Sequence, residues 1–133
     1  MRYDILFETN RFNLSEVKDH FINDCCFGED LAEWLRGKLI EKGLTVTEPG
    51  QEDWGWYIEP AGASGKYSLG IGGISDGSIN DGNQGEWRIM IEKRVSIIDK
   101  LTGRNKMSQT DEMAVLIWKI LEAETAFRNI HVE

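Results

Sequence analysis

The chain is poor in the residues that would make its chemistry easy to name. It holds two cysteines, two prolines and two histidines in 133 residues. The cysteines are neighbours, Cys25 and Cys26. One peptide unit spaces consecutive Cα atoms about 3.8 Å apart, shorter than disulfide geometry accepts. They read as reduced thiols, which fits the cytoplasm. The histidines are His20 and His131, and with adjacent cysteines they lack the four-ligand spacing of a structural zinc site. Neither metal nor cofactor is expected. No apolar run approaches the roughly 20 residues that cross a bilayer. The segment Met1 to Glu8 mixes Asp4 and Glu8 into its apolar residues, which makes a poor signal peptide. No membrane and a cytoplasmic location are the expectations. Positive charge is also scarce: 15 Lys and Arg stand against 23 Asp and Glu, a net charge of −8. That field repels phosphate backbones and attracts basic surfaces, so no nucleic acid is expected as partner.

What the chain does have is a core. Hydrophobic residues make up 41% and charged residues 29%, the profile of one folded domain spanning 1–133. Charge is uneven within it. Residues 1–60 carry 13 acids and 6 bases, whereas 61–133 carry 10 and 9. Between Lys93 and Lys106 the sign reverses, with Lys93, Arg94, Lys100, Arg104 and Lys106 against Asp99.

Periodicity then sets out the elements. Tyr3, Ile5 and Phe7 alternate with polar residues, as in a strand. Asn13 and Glu16 fit a capping box, followed by Leu14, Val17 and Phe21 at helical spacing. Leu31, Leu35 and Leu39 form a stripe over 29–42, with Glu29 and Asp30 in a first turn where the helix dipole favours acids. Gly43 stands at the usual C′ position. Strands follow at Leu44–Thr47, Trp54–Glu59, around Tyr67–Ile71 and over Glu86–Ile98, separated by turn or loop signals at Pro49-Gly50, 60–65 and 75–85. A last helix is expected over 110–127, capped by Ser108 and Asp111 and carrying Met113, Leu116, Ile117, Ile120, Leu121 and Phe127. The sum is an α+β fold in the order β-α-β-β-β-β-α. Its antiparallel sheet of four to five strands would lie in two layers with two main helices packed on one face. Trp56, Ile58, Leu69, Ile71, Trp87, Ile89 and Ile91 would lie under the helices. Tyr57, Glu59, Ser68, Gly70, Gly72, Arg88, Met90 and Glu92 would face away.

Motifs for chemistry are weak. Gly70-Ile71-Gly72-Gly73 lies inside a strand, whereas phosphate binding needs glycines between a strand and a helix N-terminus. The Asp76–Asn83 loop puts Asp81 where a calcium loop of the EF-hand type needs glycine. Cys25 and His20 are five residues apart, which is not one helical face, so a nucleophile pair is not read there. No catalytic residue is assigned.

The densest segment is Glu52-Asp53-Trp54-Gly55-Trp56-Tyr57-Ile58-Glu59. Acids beside aromatics suit a binding anchor, since aromatics are enriched at interface hot spots. The candidate binding residues are Glu52, Asp53, Trp54, Tyr57, Glu59, Arg88 and Met90. In size and charge the chain is similar to small acidic bacterial proteins that act by binding, such as toxin-neutralising immunity proteins and phage-encoded inhibitors. The leading expectation is a non-catalytic protein-binding domain whose acids steer a partner with a basic surface. The alternative is a small enzyme or small-molecule-binding protein, with a pocket between sheet and helices and Asp53 or Glu59 as its acid. A third is a homodimer that sets the basic 93–106 segment against the acidic half.

Overall fold

The computed structural model describes residues 2–9, 11–12, 28–52, 55–62, 65–74, 85–94, 101 and 111–133. The first expected helix, the Cys25-Cys26 pair, Asp53 and Trp54, the 75–84 loop and most of the basic segment after Arg94 lie outside those residues. Within them the order is β1 (Arg2–Thr9), α1 (Glu29–Glu41), β2 (Thr45–Val46), β3 (Gly50–Glu52), β4 (Gly55–Ile58), β5 (Pro60–Gly62), β6 (Gly65–Ile74), β7 (Gly85–Lys93), α2 (Glu112–Glu122) and β8 (Arg128–Val132).

The α+β class holds, but a sheet of four to five strands is too small. There are eight strands in one sheet, running β2-β5-β6-β7-β1-β8, with β3 beside β4 and β4 beside β6. Every pairing is antiparallel. The count rises for three reasons. The expected turn at Pro49-Gly50 leads straight into β3, whose Gly50 pairs Tyr57. The expected loop at 60–65 contains β5, whose Ala61 pairs Thr45 on one side and Lys66 on the other. The expected end of the last helix, 123–127, is a turn that feeds β8, which pairs with β1. The strand expected to reach Ile98 ends at Lys93.

One face of the sheet carries the core. Ile5, Phe7, Ile58, Tyr67, Leu69, Ile71, Trp87, Ile89 and Ile91 are fully buried there, with Trp56 nearly so. They form one cluster with Leu31, Ala32, Leu35 and Leu39 of α1 and Met113, Ala114, Ile117, Ile120 and Leu121 of α2. Each fully buried large side chain is worth about 1.5–3 kcal/mol of transfer free energy, so period-two alternation on β6 and β7 dictates which face meets the helices. Phe127 continues this packing after α2, stacking on Phe7 at 4.7 Å and meeting Trp34 edge-on at 5.3 Å.

The helix ends show how sequence sets local structure. Gly43, at φ 89°, lets the α1 C-terminus close with Gly43 N donating to Ile40 O and Leu44 N to Leu39 O, the paired bonds of a Schellman motif. At α2 the acid itself is the N-cap. Asp111 Oδ1 accepts from Met113 N at 3.0 Å and from the Tyr67 hydroxyl at 2.7 Å, and Oδ2 lies 3.4 Å from Lys93 Nζ. One carboxylate thereby ties α2 to β6 and β7.

Candidate functional site

The other face of the sheet has no described element packed over it. The ladder registers line up Gly50, Tyr57, Gly70, Met90 and Asp4 in one row across β3, β4, β6, β7 and β1. Because side chains two apart share a face, Glu52, Tyr57, Glu59, Arg88 and Met90 all project to this side. Five of the seven residues chosen from sequence therefore share one surface; Asp53 and Trp54 are the two outside the described residues.

The middle of this face is low. On β6 it presents Ser68, Gly70 and Gly72. Tyr57 on one side and Met90 on the other are half-buried, and two strand spacings put their backbones about 10 Å apart. Tyr57 leans away from the glycines towards the sheet edge: a Cβ built on Gly50 would lie 2.6 Å from its ring carbon Cζ. Gly50 is thus the seat of the Tyr57 ring.

Charge is arranged around this furrow. Arg88 Nη1 donates to Asp4 Oδ2 at 2.7 Å, and both terminal nitrogens reach the Glu133 carboxylate. These contacts, led by the hydrogen bond to Glu133, raise the Arg88 pKa further above its ordinary value, against burial that lowers it. Asp4 is buried, so Arg88 supplies its counter-charge while pinning the end of β8 to the sheet. Glu8 and Glu86 stand directly opposite each other, an arrangement that costs stability. Glu8 also accepts from Asn129 Nδ2 and pairs in register with Arg128. Glu92 is exposed.

At the far end of β6 lies a hollow of about 380 Å³, lined by Thr45, Thr47, Glu59, Lys66 and Arg94 among others. Glu59 forms an ion pair with Arg94, and its backbone N–H donates to Thr47 Oγ1 at 2.9 Å. Behind it, Arg36 of α1 donates to the carbonyls of Val46 and Thr47, occupying acceptors where the edge strand is broken.

The acids of the leading expectation do not all gather. Gly28, just before α1, and Gly55, at the start of β4, both abut the Ile71 carbonyl. A Cβ on Gly28 would lie 3.2 Å from it and one on Gly55 2.4 Å. Glu29 and Asp30 therefore stand at this sheet edge on the helix side, with Glu33 one turn along α1, while Glu52 projects from the opposite face. Glu48 sits at the other end, 3.6 Å from Arg36.

Sequence reasoning missed Glu86, Lys66 and Arg94 as members of this face. Reading charges at period two along β7 and β6 was the signal that finds them. Among the described residues no three His, Cys, Asp or Glu side chains gather to hold a metal, and His131 Nδ1 lies 2.6 Å from the Asn129 carbonyl. Compared with protein-family models, with curated proteins and with solved structures, the chain matches none.

Proposed function

We propose that this chain is a non-catalytic protein-binding domain, immunity- or inhibitor-like, that acts on a partner with a basic surface in the cytoplasm. The observation that carries the reading is the corner where Gly28 and Gly55 meet the Ile71 carbonyl. It brings Glu29 and Asp30, on the helix side, and Glu52 and Tyr57, on the open side, to the two sides of one sheet edge. Acids at a rim raise association rates with a basic surface, and a seated aromatic ring supplies buried contact at low entropic cost. Tyr57 is such a ring, because Gly50 fixes its position before any partner arrives. The test is capture of partners by wild type and by Glu29→Lys/Glu52→Lys. The reading requires the partner to be lost from the variant while its unfolding transition is unchanged. Equal recovery by both proteins would remove it.

The hollow beside Glu59 and Arg94 favours a second reading, a small-molecule-binding protein with Glu59 as its acid. A thermal-shift screen separates the two. A ligand whose stabilisation vanishes in Glu59→Gln supports the hollow, and no ligand in the screen supports the protein-binding reading.

A further inference from the structure

The solvent side of β7 carries a charge order that matches its own reverse. From one end to the other it reads Glu86, Arg88, Met90 and Glu92, and Arg94 follows just past the strand, its N–H donating to the Lys66 carbonyl. About Met90 the pattern is antisymmetric: two residues away Arg88 opposes Glu92, and four residues away Glu86 opposes Arg94. A random polar face has no reason to show this order.

We infer that a second copy of this chain covers the face, with the two sheets stacked about a two-fold axis that runs across the strands through Met90. That rotation reverses β7 end for end over its copy. Glu92 then meets Arg88 of the other copy, Arg94 meets Glu86, and the two Met90 side chains meet at the axis. Isologous contact of this kind makes each unique pair occur twice. At about 3.4 Å per residue the inner pairs lie about 7 Å from the axis and the outer pairs about 14 Å. Stacked sheets stand about 10 Å apart, a gap that an Arg and a Glu side chain bridge together.

The neighbouring strands allow this approach. Beside Met90 the row continues to Gly70, with Gly72 next along β6, so no side chain from those positions holds the other copy's Met90 away. Lys66, exposed at the β6 end, lies beside Arg94 and faces the same acidic end of the other copy, where Glu86 and Glu8 stand together. Within its own chain Glu8 has Arg128 opposite it on β8, and the other copy adds positive charge on the Glu86 side of the pair. Arg88 is already held by Asp4 and Glu133 through three contacts, and a guanidinium has five N–H donors, so two remain for Glu92 of the other copy. A patch one β7 in length and four strands wide is about 30 Å by 19 Å. Burying it on both copies comes close to the roughly 1,200 Å² at the lower end of stable interfaces. This association is argued from β7 and its neighbours and draws on none of Glu29, Asp30 and Glu52.

Sedimentation velocity over a concentration series at low salt reads the outcome. The wild type should move from 15.2 kDa towards twice that mass, and high salt should shift the transition at least tenfold in concentration. Arg94→Glu and Glu86→Arg should each weaken dimerisation at least tenfold, and the double variant should return to within threefold of wild type. Arg94→Glu loses an in-chain pair with Glu59 and its fold is at risk. Glu86→Arg instead relieves the contact with Glu8, so that variant and its reversal by the double substitution keep the test sound. A wild type that stays monomeric throughout, or a double variant no better than either single one, would overturn the inference.

Discussion

Removing the Asp111 carboxylate should cost the fold more than any other single polar change on the core side of the sheet. Asp111 is 6% exposed at its side chain and Lys93 17%, while Tyr67 is fully buried. Asp111→Ala deletes the N-cap of α2, worth about 1 kcal/mol. It takes away the acceptor 2.7 Å from the Tyr67 hydroxyl, a loss of about 1–3 kcal/mol for a buried donor. It also takes the carboxylate from Lys93, for which about 1 kcal/mol is a fair share where some water reaches the ammonium. The expected destabilisation is about 3–5 kcal/mol, out of a total of about 5–15 for a domain. Asp111→Asn keeps an oxygen for Met113 N and for Tyr67 and loses only the charge, so about 1–2 kcal/mol is expected. Urea unfolding followed by tryptophan fluorescence measures both, with the slope checked for constancy. A double-mutant cycle with Tyr67→Phe should give a coupling of about 1 kcal/mol or more. The reasoning is refuted if Asp111→Ala stays within about 1 kcal/mol of wild type, or if Asn is as costly as Ala.

Two glycines should respond in opposite directions. Gly55→Ala puts a Cβ 2.4 Å from the Ile71 carbonyl oxygen at φ 155°, and a loss above about 2 kcal/mol is expected. Gly37→Ala, inside α1 with nothing within 4 Å, should stabilise by about 0.5–1 kcal/mol; thermal unfolding of the pair checks both signs. Burial raises the Tyr3 pKa above its ordinary value. Its stabilising effect is therefore complete below the unfolded value and is lost as pH rises through the folded one. Absorbance at the tyrosinate band should show a late-titrating component that Tyr3→Phe removes, and unfolding at rising alkaline pH should show wild type losing the stability that Tyr3→Phe does not lose.

The parts of the fold legible in the sequence are those where burial dictates pattern. Leu31, Leu35 and Leu39 mark α1 because a helix brings them to one stripe, and Gly43 ends it because only a residue at ease with positive φ closes that turn. Ile89 and Ile91 mark β7 because a half-buried strand alternates. Three strands escaped for separate reasons. Gly50-Gln51-Glu52 follows a Pro-Gly turn signal, yet it pairs with β4. Pro60-Ala61-Gly62 has the composition of a loop, yet it pairs on both sides, and Gly62 is fixed by Leu44, whose Cδ2 lies 2.4 Å from where a Cβ would stand. Arg128–Val132 is short and polar, and Phe127 extended the helical period of α2 by coincidence, being buried against Phe7 from a turn. For the candidate face, Tyr57, Arg88 and Met90 were visible through alternation. Their assembly into a row with Gly50 and Gly70 depends on strand register, which a single sequence does not specify. Ion pairs such as Arg94 with Glu59 depend on it too.

The central claim, that the acidic corner recruits a basic protein, is tested most directly by capturing partners of the tagged chain from extract of its native cells. Capture is done at about 0.1 M and about 1 M salt, where screening lengths are about 10 Å and 3 Å. The account predicts one dominant basic protein at low salt that is released at high salt. A partner retained equally at both, or an acidic one, would contradict it.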